Sequence, residues 1–97
     1  MSSIRVHRDA WEVMLAHARA IYPDECCGAM LGTGEEVRVA APLENSFAGS
    51  RRTRYQLSPE DLLAATSEAR QSGLQLIGIY HSHPDRDAYF DKPVVLS

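Results

Sequence analysis

The stretch Tyr80-His81-Ser82-His83-Pro84 directly follows an apolar run, Leu74-Gln75-Leu76-Ile77-Gly78-Ile79, which predicts a buried β-strand. Because side chains alternate between the two faces of a strand, His81 and His83 point one way and Ser82 points the other. Two imidazoles on one rigid face can supply two nitrogen ligands to a single metal ion. Pro84 removes a backbone donor just past the pair, so the histidines lie at a strand end that ligands and substrates can reach.

The composition bounds the chain to one domain and excludes some function classes. Its 97 residues leave room for little more, and the charged fraction of 24% is ordinary for a globular protein. The net charge of -3 gives no general electrostatic reason to bind nucleic acid or an acidic membrane surface. No apolar run approaches the roughly 20 residues of a membrane span, and Arg5, Arg8 and Asp9 interrupt any signal-peptide core.

The only two cysteines, Cys26 and Cys27, are adjacent in the chain. Neighbouring residues of a strand point to opposite faces, so a disulfide between them is geometrically poor. The C-x-x-C spacing that is typical of zinc sites is absent. We therefore expect structural cysteines with reduced thiols, in a cytoplasmic protein.

Hydrophobic spacing and turn residues predict the element order α-β-β-β-α-β. Ser58 is a good N-cap, Pro59 suits the first helical position, and Gly73 ends that helix. The elements are, in chain order, a lead-in at 2–7, a helix at 8–21, strands at 26–31, 37–40 and 53–57, a helix from 59, the strand before the histidines, and the start of another strand at 93–96.

Taken alone, these patterns leave the chemistry open. An isolated His-x-His also occurs as two half-buried strand histidines. A catalytic zinc ion needs a third protein ligand, and the downstream acids Asp85, Asp87 and Asp91 are more often solvated loop residues than ligands. By itself, Glu25 is best explained as a loop acid beside the end of the first helix.

Four segments together resemble the JAMM (also called MPN+) metalloprotease family in its short bacterial form. No single segment is decisive, but their order and spacing are highly specific, and the resemblance extends to about Phe90. The segments are Tyr22-Pro23-Asp24-Glu25-Cys26-Cys27-Gly28, Pro42-Leu43-Glu44-Asn45-Ser46, Arg54-Tyr55-Gln56-Leu57-Ser58-Pro59-Glu60-Asp61-Leu62 and Gly78-Ile79-Tyr80-His81-Ser82-His83-Pro84.

The resemblance implies an α+β (α/β) fold, a curved mixed β-sheet flanked by helices that is similar to cytidine deaminases. It implies one domain over residues 1–97 that is incomplete at its C-terminal side. It also implies Zn2+ bound by two histidines and an aspartate, with a glutamate as general acid/base. By matching positions, Glu25 is the acid/base, and His81 and His83 are ligands. Zinc lowers the pKa of its bound water from about 15.7 to about 7, which supplies hydroxide at neutral pH.

The substrate class is also implied by the resemblance. Members of the family cleave isopeptide or peptide bonds next to ubiquitin-like proteins, and short bacterial relatives trim the C-terminus of small sulfur-carrier proteins. The basic cluster Arg51-Arg52-Thr53-Arg54 then has two interpretations. It is a solvated strand edge that blunts sheet pairing, or it binds the tail or carboxylate of such a substrate, with Arg54 as the candidate contact.

After His83 the sequence departs from the family pattern, which has a serine after seven residues and an aspartate two residues further on. Those positions hold Asp91 and Val94 when the alignment is ungapped. If three residues are missing before position 91, Asp91 itself is the third zinc ligand and the serine is absent. Losing an oxyanion donor costs roughly 2–4 kcal/mol of barrier, so the reaction slows while the metal remains.

Two other functions stay open at this point. The first is a catalytically impaired MPN-type binding module that lacks a complete zinc site. The second is a zinc nucleoside deaminase, whose H-x-E and P-C-x-x-C motifs are absent from the sequence. Because four strands and two helices bury only a modest core, we expect either a homodimer or a shortened version of a larger domain.

Overall fold

The protein folds as one five-stranded sheet with a helix on each face. A computed structural model describes residues 3–84 and the backbone of Val94–Leu96. The sheet order is β4-β2-β3-β1-β5. The elements are β1 (Ile4–Val6), α1 (Arg8–Ile21), β2 (Cys27–Thr33), β3 (Glu36–Leu43), α2 (Pro59–Gln71), β4 (Gln75–His81) and β5 (Val94–Leu96). The expected class, α+β with a mixed sheet and flanking helices, is confirmed.

Both helices form where the sequence predicts them. The Ser58 Oγ accepts a hydrogen bond from the Asp61 backbone N–H at 3.0 Å, which caps the first turn of α2. Gly73 follows α2 with φ +74°, a left-handed conformation that glycine adopts without a steric penalty. Among the described helices, none combines the length and the apolar character that crossing a bilayer requires.

The sheet is built around β2. A turn at Gly34, with φ +59°, joins β2 to β3 as an antiparallel hairpin. The other edge of β2 pairs antiparallel with β4, so that Cys27 lies opposite His81. On the far side, β1 pairs parallel with both β3 and β5. The predicted lead-in at 2–7 therefore contains a strand of the sheet, Ile4–Val6.

Two apolar clusters fill the space between the sheet and the helices. The first joins α1 to β1 and β3 through Val6, Ala10, Met14, Val37 and Ala40. The second joins α2 to β2 through Ala29, Leu31, Ala65 and Ala69. Because β2 presents alternate residues to the two helices, it is covered on both faces. Cys27, the first residue of the strand, is fully buried.

A hydrogen bond also connects β4 to α1, through Tyr80, the residue before His81. The Tyr80 hydroxyl and the His17 Nδ1 form a hydrogen bond of 2.8 Å. Burial raises the pKa of the Tyr80 phenol and lowers the pKa of the His17 imidazole, so at neutral pH the phenol is protonated and the imidazole is neutral. The Tyr80 ring lies across Gly28 of β2, where a side chain would overlap it.

The predicted strand at 53–57 is wrong. Thr53 ends a turn, and residues 54–58 have no regular secondary structure. The backbone groups that would form a ladder are used elsewhere: Arg54 O and Gln56 N bond to the Asn45 side chain, and Gln56 O bonds to Ser46. The alternation of Tyr55 and Leu57 is typical of a strand, but the Asn45 side chain makes the hydrogen bonds that a neighbouring strand would make.

Replacement of Gly28 by alanine tests the contact between β2 and the Tyr80 ring. Gly28→Ala should lower the free energy of unfolding by about 1–3 kcal/mol, because the new methyl group overlaps the packed ring. Urea denaturation followed by far-UV circular dichroism measures the change. The matched control is Gly49→Ala in a loop, where the new Cβ meets only the end of the Phe47 ring, which can move. Equal losses in the two variants would contradict this account.

Candidate metal centre

The candidate site forms where β2 begins and β4 ends. The Ser82 N–H donates to the Cys26 carbonyl at 3.1 Å, and the Cys26 N–H donates to the Ser82 Oγ at 2.9 Å. This exchange continues the β2–β4 pairing by one step beyond the strands. Because Ser82 turns toward Cys26, the histidines on either side of it are left to face the other way. Glu25, which precedes Cys26, is brought to the same place.

Glu25, His81 and His83 converge as the sequence predicts. One ligand atom from each residue can be chosen so that all three lie within 4.8 Å of one another. The His81 Nδ1 lies 3.4 Å from the Glu25 Oε1, and the two imidazole centroids are 4.5 Å apart at 78°. Glu25 is only 5% exposed. Imidazole nitrogens are ligands that zinc uses in proteins, so His81 and His83 fit a zinc ion, and the Glu25 carboxylate lies beside them.

Tyr55 is a part of the site that the sequence does not predict, since it is placed there only within a strand at 53–57. Its ring stacks on the His81 imidazole, with centroids 4.5 Å apart and planes 24° from parallel. Burial raises the pKa of the Tyr55 phenol, and the nearby Cys27 and Glu25 add to the effect. The neutral ring therefore shields one face of His81 from solvent and restricts its rotation.

A cavity of about 490 Å³ opens beside the three converging side chains. One wall carries Arg52 and Arg54, and the Arg54 guanidinium lies 5.9 Å from the centre of the Phe47 ring. The interpretation of the arginine cluster as a strand edge is wrong, because the segment is not a strand. The cavity is lined by Glu25, Phe47, Arg52, Thr53, Arg54, Tyr55, Gln56, His81, His83 and Pro84.

Asn45 is a second residue of the site whose role the sequence does not predict, since it is named only within one of the segments that resemble the family. Its side chain is buried and bonds to the backbone of both Glu25 and Arg54. A signal was present: an asparagine at a strand exit, within a segment that matches a family motif. Composition alone cannot distinguish such a residue from a solvated loop asparagine, because the distinction depends on long-range contacts.

The two cysteines are free and buried beneath the site. The Cys27 Sγ–H donates to the Glu44 carbonyl at 3.6 Å. Burial raises the pKa of the Cys27 thiol to about 11, and the neighbouring Cys26, Glu25 and Asp61 contribute further. Cys27 is thus a neutral thiol at physiological pH and packs as an apolar residue, as the sequence predicts.

Asp91, the expected third metal ligand, lies outside the described residues, as do Asp85 and Asp87. Val94, which the ungapped alignment puts at the aspartate position, belongs to β5. That strand lies at the opposite edge of the sheet from β4. Three strands therefore separate the aspartate position of the ungapped alignment from β4, which carries His81.

Comparisons with known proteins give this geometry a context. Residues 7–91 match the family described as prokaryotic homologs of the JAB domain. The chain is 33% identical over 92 residues to a desampylase from Haloferax volcanii. The match covers 89% of this chain and 66% of the relative. It is 30% identical over 84 residues to the CysO-cysteine peptidase of Mycobacterium tuberculosis, covering 87% of this chain and 58% of the relative.

A solved structure agrees with the fold. Protein DSY2949 from Desulfitobacterium hafniense is 33% identical and superimposes with a TM-score of 0.77, covering 89% of this chain and 60% of that protein. The chain thus spans only about three fifths to two thirds of these three relatives.

Zinc titration tests the convergence of these side chains. Zinc at about 100 times its Kd should stabilise the folded protein by about 2.7 kcal/mol, because the unfolded chain has no assembled site. His81→Ala and His83→Ala should each remove most of the shift in thermal midpoint. His7→Ala is the control, since His7 bonds to Glu36 and is not among the three converging residues. An undiminished shift in both site variants would show that zinc binds elsewhere.

Proposed function

The chain belongs to the prokaryotic JAB-domain family, as its motifs predict, and from that premise we propose that it is a zinc-dependent peptidase. It hydrolyses a peptide bond near the C-terminus of a small ubiquitin-like or sulfur-carrier protein. The observation that carries the proposal is the convergence of Glu25, His81 and His83 beside an open cavity. The names of two relatives, desampylase and CysO-cysteine peptidase, support a peptidase.

His81 and His83 are the proposed zinc ligands, with Asp91 as the proposed third. Their imidazoles belong to one rigid strand end, and the Tyr55 ring holds one of them in orientation. Held by these residues, a zinc ion would supply Lewis-acid chemistry that activates water and polarises the scissile carbonyl. Cys27 is not proposed as a ligand, since its thiol is bonded to the Glu44 carbonyl.

Glu25 is the proposed general acid/base. Its carboxylate lies beside His81 at the cavity, within reach of a water that attacks a bound peptide carbonyl. Glu25 takes the proton of that water and later returns it to the leaving amine, so the residue is regenerated in each turnover. Its burial excludes bulk water, which strengthens its interactions with charges that develop nearby.

The cavity wall is the proposed binding surface for the substrate's tail. Arg54 is held at the wall by its backbone bond to Asn45, and its guanidinium extends over Phe47. Arginine binds a carboxylate through two parallel hydrogen bonds and also packs against peptide planes. An extended tail that lies along this wall brings a peptide bond toward Glu25 and the histidines.

A binding module without catalysis is the second candidate function. It is favoured by the departure after His83, where the positions of the family's serine and aspartate hold Asp91 and Val94, and by the position of Val94 at the far edge of the sheet. Elemental analysis of the purified, zinc-supplied protein separates the two functions. A stoichiometric zinc ion supports the peptidase, and its absence supports the module.

We further propose that the protein works in the cytoplasm. Both thiols are free, and they are buried where an oxidising partner would not reach them without unfolding. Cytoplasmic conditions keep such thiols reduced.

The variant Glu25→Gln should retain zinc and lose cleavage. The amide keeps the shape of the side chain but cannot accept a proton, so the loss in kcat is about 100- to 10,000-fold. The assay uses a small sulfur-carrier protein from the same genome with one added C-terminal residue, and intact mass reports its removal. Retained cleavage would remove the assigned role. Lost zinc would instead identify Glu25 as a ligand.

Arg54→Ala should raise KM for the same carrier substrate about 10- to 100-fold, because it removes charge-assisted hydrogen bonds worth about 1.5–3 kcal/mol. Since Arg54 contacts neither water nor the scissile bond in this proposal, kcat should change little. Arg38→Ala is the matched control, because Arg38 bonds to Glu36 and lies outside the cavity. Equal KM values for the two variants would exclude Arg54 from substrate binding.

A further inference from the structure

The backbone of Glu25 is held by a loop and not by the sheet. Glu25 lies two residues before β2. Its N–H donates to the Arg51 carbonyl at 2.6 Å, and its carbonyl accepts from the Asn45 Nδ2 at 2.9 Å. Both partners belong to the segment between β3 and α2, which we call the 45–57 loop. The position of Glu25 therefore depends on that loop.

The Asn45 side chain also organises the loop itself. Its Nδ2 donates a second hydrogen bond, to the Arg54 carbonyl at 3.0 Å. Its Oδ1 accepts from the N–H groups of Phe47 and Gln56, each at 3.1 Å. An asparagine amide has two donors and an acceptor oxygen with two lone pairs, and all of this capacity is used. The residue is only 8% exposed, so water does not substitute for these bonds.

One planar amide therefore joins the two functional parts of the site. On one side it holds Glu25, and on the other it holds Arg54 and Gln56, which line the cavity. Both N–H donors come from the same nitrogen atom, so the distance between the two carbonyl groups that they bind is restricted by the geometry of a single group.

We propose that Asn45 is a positioning residue that sets the distance between the substrate-binding wall and the general acid/base Glu25. This inference rests on the proposed function. A substrate tail that is bound along the wall brings its peptide bond to the correct distance from Glu25, because the Asn45 amide holds both the wall and the Glu25 backbone. A peptide bond displaced by about 1 Å from its reactive position loses about 100-fold in rate, so a loosened link lowers kcat without touching the metal ligands.

Asn45→Asp breaks this link selectively. The carboxylate has the size of the amide and keeps an acceptor oxygen for the Phe47 and Gln56 N–H groups. It lacks both donors, and it presents a negative oxygen to the carbonyl groups of Glu25 and Arg54, which repel it. The matched control is Ser46→Ala, which removes the bond of the Ser46 Oγ to the Gln56 carbonyl in the same loop and leaves Asn45 intact.

The kinetic readout is the cleavage of the extended sulfur-carrier protein by the full chain, with the Co2+ absorption spectrum as a metal control. We expect Asn45→Asp to lower kcat about 100-fold with an unchanged Co2+ spectrum, and Ser46→Ala to keep kcat within about threefold. An equal loss of kcat in Ser46→Ala would show that Asn45 acts only through the general stability of the loop, and it would overturn the proposal. So would an altered Co2+ spectrum in Asn45→Asp.

Amide hydrogen exchange measured by NMR tests the link without any activity. In Asn45→Asp the Glu25 amide should exchange at least about tenfold faster, since local opening of the loop frees it, while the Ser82 amide, bonded to Cys26, keeps its protection. Unchanged exchange at Glu25 overturns the link. If Asn45→Asp does not fold, Asn45→Ser, which retains one donor, replaces it: the Glu25 amide should exchange faster than in the wild type, and an unchanged rate overturns the link.

The two readouts separate this inference from the proposed function. If the wild-type chain cleaves no carrier protein while the Glu25 amide still responds to Asn45→Asp, the peptidase proposal fails and the structural link stands. If the wild type cleaves and Asn45→Asp retains full kcat, the positioning role fails and the peptidase proposal stands.

Discussion

The exchange of hydrogen bonds between Cys26 and Ser82 is the contact on which the site depends. It extends the β2–β4 pairing past the ends of the two strands. Ser82, whose side chain points away from the two histidines, makes both hydrogen bonds to Cys26. Glu25 directly precedes Cys26, and His83 directly follows Ser82. The register of the two strands therefore decides that the carboxylate and the imidazoles meet, because a slip of one residue would send the histidines to the opposite face.

A second constraint comes from outside the sheet. The 45–57 loop supplies Tyr55 against His81, and its Asn45 holds the Glu25 backbone. The site is thus assembled from a rigid part, the two strand ends, and a part whose order depends on a buried asparagine. Loops that lack ladder hydrogen bonds need such a residue to satisfy their backbone groups, because unpaired buried N–H and C=O groups are costly.

The sequence predicts the features that local rules determine. Ser58 and Gly73 bound α2 because capping is local, and the apolar run before His81 identifies β4 and the direction of both imidazoles. The sequence predicts a strand at 53–57 because the alternation of Tyr55 and Leu57 is a local signal, whereas the true partner of this segment, Asn45, is a distant side chain. The parallel pairing of β1 with β3 and β5 has no local signature either. Glu25 entered the site only through the family resemblance, since a lone acid before a strand carries no pattern.

X-ray absorption at the zinc edge of the zinc-loaded protein tests most directly whether the strand ends create one metal centre. The account predicts a first shell of nitrogen and oxygen only, at about 2.0–2.2 Å, with multiple scattering from two imidazoles. Glu25→Gln should leave the count of imidazoles unchanged. A sulfur shell at about 2.3 Å, which would mean that Cys26 or Cys27 binds the metal, or fewer than two imidazoles would contradict the account.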